Sequence, residues 1–275
     1  MPTQTRTKIC RGCGALVSPE DKACFVCGTP VLELQMMTQR KPGYKSMLLQ
    51  HGKATIILFL ITVMIYLVTW VITTASGKSE ALMGISIKVL NEFGDKNTPL
   101  ILKGQIWRLV TAIFLHANLI HIFFNMFAFV QLGLLVEIYY GWERYLFFYI
   151  FSGIFGYIAS VVFYPHAISI GASGAIMGLI GVLLAYCLRN RNAWTGRLAK
   201  ILIFWTVINL IIGFNLANLI DNAAHLGGLT SGFLMALPFS AQPAKTLFQK
   251  RFYEFLGWAA ILLTAASFLA LGLTR

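Results

Sequence analysis

The feature that most constrains this chain is a set of apolar runs, each about as long as a helix that crosses a lipid bilayer. Such a helix needs roughly 17–25 predominantly apolar residues. The composition agrees, with 57% hydrophobic and 12% charged residues, against about 25% charged residues in a typical soluble domain. The sequence therefore predicts an all-α polytopic membrane protein with seven spans, at about 54–75, 117–137, 145–165, 171–188, 200–217, 222–240 and 256–273.

The basic residues predict how these spans are oriented, because cytoplasmic loops carry an excess of Lys and Arg. Three segments are basic. The one before the first span contains Arg40, Lys41, Lys45 and Lys53; the one after the fourth span contains Arg189, Arg191, Arg197 and Lys200; and the one after the sixth contains Lys245, Lys250 and Arg251. We therefore expect a cell-membrane protein with a cytoplasmic N-terminus and a C-terminus outside. The net charge of +12 is divided among separate loops, which favours attraction to anionic lipid headgroups over binding of nucleic acid.

The N-terminal segment is polar and contains four of the five cysteines. The first apolar run begins only near Ala54, so no cleaved signal peptide is expected. Cys10 and Cys13 form one C-x-x-C-G knuckle, and Cys24 and Cys27 form a second. Two thiolates from each knuckle can complete a tetrahedral zinc site, and metal binding would stabilise a segment too short for a core. This pattern favours a structural zinc ribbon over two alternatives. A redox dithiol would consist of a single C-x-x-C motif on a βαβ unit, and disulfides are rare in the cytoplasm.

The segment from Ser76 to Ile113 is too polar to span a bilayer and too apolar for a free loop. We expect an element that lies in the interface of the outer leaflet. Trp107 and Arg108 close this segment. Two interpretations stay open: an interfacial Trp with an Arg that reaches the headgroups, or a pair that holds the loop together.

The second predicted span carries a polar pair near its start. His121 and Asn125 are four residues apart and therefore share one helix face. They could form a functional site, or they could only hydrogen-bond to neighbouring helices, as polar residues in spans often do. Glu137, at the other end of this helix, is expected to cap or brace a loop.

Two further spans carry glycine stripes next to a serine and a histidine. Ser173 begins one run, in which Gly171, Gly174, Gly178 and Gly181 are spaced by three, four and three residues. His225, Gly228 and Gly232 share a face of another. Small residues at such spacing let helix backbones approach closely. Close approach would bring the imidazole to the hydroxyl, and a serine with an adjacent base is a nucleophile. Structural packing, or a proton or metal site at His225, are the alternatives.

The ordered set of motifs resembles the rhomboid family of intramembrane serine proteases. The residues that carry the resemblance are Trp107-Arg108, His116, His121 with Asn125, Gly171-Ala172-Ser173-Gly174, and Ala224-His225 followed by Gly228. The resemblance implies that Ser173 is the nucleophile and His225 the general base. It also implies that His121, Asn125 and the Ser173 backbone N–H bind the oxyanion. His116, Trp107, Arg108, Gly171, Gly174, Gly178 and Gly228 would support the site.

The resulting prediction is a protease that cleaves transmembrane proteins in or near their spans, with no cofactor for catalysis. We expect a zinc-ribbon head at 1–31, a linker at 32–53, a six-helix rhomboid-like core at 54–240, and a loop with a seventh span at 241–275. A cytosolic protein is a candidate partner of the zinc ribbon. The alternatives are an inactive rhomboid-like scaffold that binds membrane proteins, and a transporter or channel with a polar pore.

Overall fold

A computed structural model describes residues 8–9, 15–18, 21–28, 52–77, 81–215 and 220–274. The chain divides into two compact units, 1–47 and 48–275. In the first unit, strand β1 (Lys8–Ile9) pairs with β2 (Leu16–Val17) in an antiparallel hairpin. The predicted linker at 32–53 lies almost wholly outside the described residues, as do Cys10 and Cys13.

The second unit is helical. Its long helices are α1 (Lys53–Ala75), α5 (Leu119–Tyr140), α6 (Trp142–Phe163), α7 (Ser173–Arg189), α8 (Ala193–Asn215), α9 (Asn222–Ala236) and α10 (Leu247–Leu273). Between α1 and α5 the described residues form three short α-helices, α2 (Ile87–Glu92), α3 (Thr98–Leu102) and α4 (Arg108–Thr111), and two 3₁₀ helices, Ala81–Met83 and Ala112–Phe114. Among the described residues, five helices are long and apolar enough to cross a membrane: α1, α5, α6, α8 and α10. Helix α7 is apolar but has only 17 residues, and α9 has 15.

The predicted starts of the fifth and seventh spans, near residues 200 and 256, are wrong as helix starts. Helix α8 begins at Ala193 and α10 at Leu247. Capping residues set these starts. The Asn192 side chain accepts hydrogen bonds from the backbone N–H groups of Trp194 and Thr195, and Thr246 accepts one from Gln249. Such caps satisfy N–H groups that have no intrahelical acceptor, so a helix can begin before the apolar run does.

Two other predicted boundaries also need correction. Lys250 and Arg251 belong to the first turns of α10 and not to a loop. Helix α9 ends at Ala236, four residues before the predicted end of the sixth span. The Arg189 side chain donates hydrogen bonds to the carbonyl oxygens of Leu237 and Phe239, and so binds backbone groups of the non-helical segment that follows.

Helices α7 and α9 pack backbone against backbone through the predicted glycine stripes. A Cβ atom built on Gly228 would lie 2.0 Å from the Gly174 carbonyl oxygen, and one on Gly232 would lie 2.1 Å from that of Gly178. Neither position has room for a side chain. Gly156 of α6 also lies close to α9, since its Cβ would be 2.7 Å from the Ala224 carbonyl oxygen. The three helices therefore meet where the sequence places its small residues.

The segment between α1 and α5 is organised by Arg108, which is 5% exposed. Its guanidinium donates to the Asp95 carboxylate at 2.8 Å, and to the backbone carbonyls of Asp95 and Asn91 at 3.0 Å each. Burial raises the pKa of the Asp95 carboxyl, and the charge of Arg108 opposes that rise. Of the two interpretations of Trp107-Arg108, these contacts favour, for Arg108, the one in which it holds the loop together.

Glu137 caps the first long helix, as the sequence suggested. Its carboxylate accepts hydrogen bonds from the backbone N–H groups of Ala54 and Thr55, at 3.0 and 2.9 Å, and from the Thr55 hydroxyl at 2.7 Å. A negative charge at this position also complements the positive end of the helix dipole. The end of α5 and the start of α1 are thereby joined.

Candidate active site

Ser173 and His225 are in hydrogen-bond contact. The Ser173 Oγ lies 2.9 Å from the His225 Nε2. Ser173 is the first residue of α7, and His225 is the fourth residue of α9. The imidazole is buried, whereas the serine is partly exposed. At this distance the imidazole can accept the hydroxyl proton, which is the requirement for a general base and its nucleophile.

The position of His225 follows from the first turn of α9. The Asp221 carboxylate accepts a hydrogen bond from the Ala224 backbone N–H at 2.9 Å, and the Asp221 carbonyl accepts one from the His225 N–H at 3.1 Å. The His225 Nδ1 has no hydrogen-bond partner among the residues that the structure describes. Within the described residues, therefore, no carboxylate is hydrogen-bonded to the imidazole.

His121 lies beside the turn that leads into Ser173. A Cβ built on Gly171 would lie 2.8 Å from the His121 Nε2. The other nitrogen of the ring, Nδ1, accepts a hydrogen bond from the Ala117 backbone N–H at 3.3 Å. A nitrogen that accepts this bond carries no proton, so a neutral His121 has its proton on Nε2. The ring therefore presents a donor toward the approach to Ser173.

Asn125 is buried one turn after His121 on the same helix. Its side-chain amide donates to the His121 carbonyl at 2.9 Å, which leaves one of the two amide N–H groups available. Its part in an oxyanion site stays a prediction. His116 is buried next to His121, with the two rings edge to face at a centroid distance of 5.0 Å. His116 therefore helps to hold the His121 ring in place.

Gly171 adopts a backbone conformation that favours glycine, with φ of +120°. Its N–H donates to the Ala112 carbonyl at 2.9 Å, and its carbonyl accepts from the Tyr157 hydroxyl at 2.8 Å. A side chain here would be strained and would meet His121. These bonds place the chain so that it enters α7 at Ser173.

Sequence reasoning missed the polar residues that surround the Ser–His contact. Tyr157, Ser160, Ser169 and Lys96 all contribute hydrogen bonds near the start of α7 or α9. Asp221 is the only acidic residue between positions 201 and 222. An acid directly before a helix that carries a functional histidine is a capping signal, and it could have indicated a role for this residue.

The described part of the N-terminal unit contains the second cysteine knuckle only. Cys24 is buried with Val17 and Ala15, and the Gly28 N–H donates to the Cys24 carbonyl at 2.8 Å in a tight turn. No group of three or more His, Cys, Asp or Glu side chains that could hold a metal occurs within the described ranges. Since Cys10 and Cys13 lie outside those ranges, the four-cysteine site stays a prediction.

The fold defines a polytopic membrane protein, and its helices bring a serine into hydrogen-bond contact with a histidine. Residues 103–242 match the Rhomboid domain, and this chain belongs to that family. With its apolar helices, it is an integral membrane protein.

Relatives extend this comparison. Rhomboid protease GluP of Bacillus subtilis is 37% identical over 242 residues, which cover 88% of this chain and 45% of that protein. RHOMBOID-like protein 1 of Arabidopsis thaliana is 37% identical over 177 residues, or 63% of this chain and 45% of the relative. Rhomboid-like protease 1 of Toxoplasma gondii is 31% identical over 188 residues, or 65% of this chain and 63% of the relative. The chain thus spans about half the length of the first two relatives.

Proposed function

We propose that this protein is an intramembrane serine protease that hydrolyses peptide bonds in or near the transmembrane segments of other membrane proteins. The observation that carries the proposal is the 2.9 Å contact between the Ser173 Oγ and the His225 Nε2. Membership of the Rhomboid family and the similarity to relatives named as proteases support it. A catalytically inactive scaffold is less well supported, because this chain retains both residues.

In the proposed reaction, the Ser173 Oγ attacks the scissile carbonyl carbon and its proton passes to the His225 Nε2. The carbonyl oxygen becomes an oxyanion, which the His121 Nε2–H and the Ser173 backbone N–H stabilise. Collapse of this intermediate breaks the C–N bond, and the leaving amine takes the proton from Nε2. Water then attacks the acyl-enzyme by the same route and regenerates Ser173. Each well-placed oxyanion donor contributes about 2.7–4 kcal/mol to transition-state stabilisation.

In this scheme Asn125 is a further donor to the oxyanion. Its amide nitrogen carries two N–H groups, and only one of them is needed for the bond to the His121 carbonyl. The substrate helix must unwind at the cleavage site, because a helical peptide bond is protected by its own hydrogen bonds. A segment with weak helix propensity near the active site is therefore the expected substrate.

Cleavage of a single-pass reporter substrate by the purified, reconstituted protein tests the proposal. Wild type should cleave, whereas Ser173→Ala and His225→Ala should not. Ser231→Ala is a matched control, since Ser231 lies on α9 but donates only to the Gly227 and Gly228 carbonyls of its own helix. Absence of cleavage by wild type, with bound substrate recovered, would favour the scaffold. Solute flux without cleavage would favour the transporter.

We also propose that the N-terminal unit is a structural zinc ribbon with Cys10, Cys13, Cys24 and Cys27 as ligands. Strands β1 and β2 flank the first knuckle in sequence, and Cys24 packs against Val17 of β2. Metal analysis should find about one zinc per chain, lost in Cys10→Ser and in Cys24→Ser. Cys187→Ser is the control, because Cys187 lies on α7. Unchanged zinc in the knuckle variants would contradict the site.

The proposed topology places the N-terminus and this ribbon in the cytoplasm, where a cytosolic protein could bind. The C-terminus and the Ser173–His225 contact would then lie toward the outside of the cell membrane. Reporter fusions that are active on only one side of the membrane, placed at each terminus, test this orientation. Equal labelling of both termini from the outside would refute it.

A further inference from the structure

We propose that Asp221 is a positioning residue. Its carboxylate bonds both to the segment that leads into Ser173 and to the start of the helix that carries His225. This inference rests on the proposed function, because positioning matters only if the two residues react together. Asp221 touches neither Ser173 nor the His225 ring through any hydrogen bond of the described structure, so its effect is indirect.

On one side, Asp221 organises the start of α9. Its Oδ1 accepts from the Ala224 N–H, and its carbonyl accepts from the His225 N–H. An acidic residue at this position satisfies N–H groups that would otherwise lack acceptors and complements the helix dipole. The orientation of the first turn of α9, and hence of His225, depends on where this carboxylate is held.

On the other side, the second carboxylate oxygen is bonded outside α9. The Asp221 Oδ2 accepts hydrogen bonds from the hydroxyls of Ser160 and Ser169, the latter at 2.5 Å. Ser160 belongs to the last turn of α6, and Ser169 lies four residues before Ser173. Both serines are buried. The carboxylate therefore joins α6, the approach to α7 and the start of α9.

Lys96 also binds the segment that leads into α7. Its backbone forms a two-hydrogen-bond bridge with Ser169, at 2.9 and 3.2 Å. Its ammonium donates to the carbonyls of Tyr164 and Ala167, at 2.7 and 2.9 Å. Lys96 is fully buried. Burial lowers the pKa of its amine, and the charge of Asp221 opposes that change more than the charge of Asp95 does. Asp221 thus also compensates a buried positive charge.

This arrangement differs from a Ser-His-Asp triad. In a triad the carboxylate accepts from the Nδ1–H of the histidine. Here both Asp221 oxygens are occupied by other donors, and the His225 Nδ1 is unpartnered among the described residues. The carboxylate bonds the backbone that carries the base and makes no hydrogen bond to the imidazole. Its loss should therefore disturb the distance between Ser173 and His225, with little effect on substrate binding.

Steady-state cleavage by Asp221→Ala and Asp221→Asn, each normalised to folded protein, separates these roles. We expect kcat of Asp221→Ala to fall by about 10²-fold, the cost of a misplacement near 1 Å, with KM within about twofold. Asn also caps helices well and can still bond a serine hydroxyl, so Asp221→Asn should recover kcat to within about fivefold of wild type. If Asp221 only stabilised the fold, its replacement would lower the amount of folded protein and leave kcat per folded protein unchanged.

Thr246→Ala is the matched control, because Thr246 caps α10 in the same manner without contact to the site. It should leave kcat per folded protein unchanged. A second measurement, amide hydrogen exchange, does not depend on activity. Asp221→Ala should accelerate exchange in both 167–173 and 222–226, and Thr246→Ala only near 247–250.

Three results would overturn the inference. The first is that Asp221→Ala lowers kcat no more than Thr246→Ala does. The second is a loss that resides in KM. The third is exchange that accelerates on one side of the carboxylate alone. If wild type does not cleave, the proposed function fails, and the exchange experiment still decides whether Asp221 joins the two segments.

Discussion

Gly228 lies where α9 touches the backbone of α7, one turn after His225. We predict that Gly228→Ala separates the two helices and breaks the contact between Ser173 and His225. The added Cβ would lie 2.0 Å from the Gly174 carbonyl oxygen, 2.8 Å from its carbonyl carbon and 3.4 Å from its Cα. All three atoms belong to the backbone of the residue next to Ser173, so no side-chain rotation can relieve the clash.

The size of the displacement follows from these distances. Bringing the closest contact from 2.0 Å to the 3.4 Å of ordinary van der Waals contact requires a local separation of about 1.4 Å. The Oγ–Nε2 distance of 2.9 Å would then exceed the roughly 3.2 Å reach of a catalytic hydrogen bond. We expect kcat to fall by about 10²-fold or more, and overpacking to lower the free energy of unfolding by about 1–3 kcal/mol.

Two measurements separate these effects: substrate cleavage per folded protein, and the rate at which a fluorophosphonate probe labels Ser173. Gly232→Ala introduces a similar clash, 2.1 Å from the Gly178 carbonyl oxygen, but one turn farther from His225. It should cost comparable stability with a smaller loss of labelling. Gly272→Ala is the neutral control, because no heavy atom beyond its own stretch of helix lies within 4 Å of its Cβ position.

Wild-type cleavage and labelling by Gly228→Ala would refute the reasoning, since the helix separation would then not determine the Ser173–His225 distance. Equal losses in Gly228→Ala and Gly232→Ala, at equal folded fraction, would indicate a general packing defect instead of a local one.

Other contacts lead to further predictions. Glu137→Gln should lower the free energy of unfolding by about 1–3 kcal/mol, because an amide replaces a carboxylate that accepts hydrogen bonds from the first turn of α1. An unchanged free energy of unfolding would contradict the cap. Arg108→Lys should increase proteolysis of the segment between α1 and α5, because a lysine cannot reproduce the planar set of bonds to Asp95 and Asn91; a wild-type digestion pattern would exclude this role. Arg144→Met should loosen α10, because Arg144 binds the Ser240 carbonyl and lies 4.4 Å from the centre of the Tyr253 ring; hydrogen exchange in α10 should rise, and a lack of change would count against it.

Much of the candidate site could be predicted from spacing. The glycine stripes predicted that α7 and α9 pack closely, because residues three and four apart share a helix face and small residues permit backbone contact. Ser173 and His225 lie at the starts of these helices, so close packing was enough to bring them together. Helix starts were less predictable, since the caps at Asn192 and Thr246 lie outside the apolar runs.

The direction of polar side chains could not be predicted in the same way. Asn125 shares a face with His121, as its spacing requires, yet its amide bonds to the backbone of its own helix. Periodicity specifies the face of a residue but not its rotamer, which depends on competing acceptors nearby. The partners of Asp221 could not be predicted either, because its two serines are 52 and 61 residues away in the chain.

By itself, the sequence determined that this chain is a polytopic membrane protein, which helices carry Ser173 and His225, and which faces pack through glycine. These properties depend on apolar length and helical period, which are local. Only the tertiary structure decided that the Ser173 Oγ meets the His225 Nε2, that Ala117 leaves the His121 proton on Nε2, and that Asp221 and Lys96 hold the approach to α7. Each of those depends on the positions of atoms from separate segments or on competition among hydrogen-bond acceptors, and no periodic pattern in the chain encodes either.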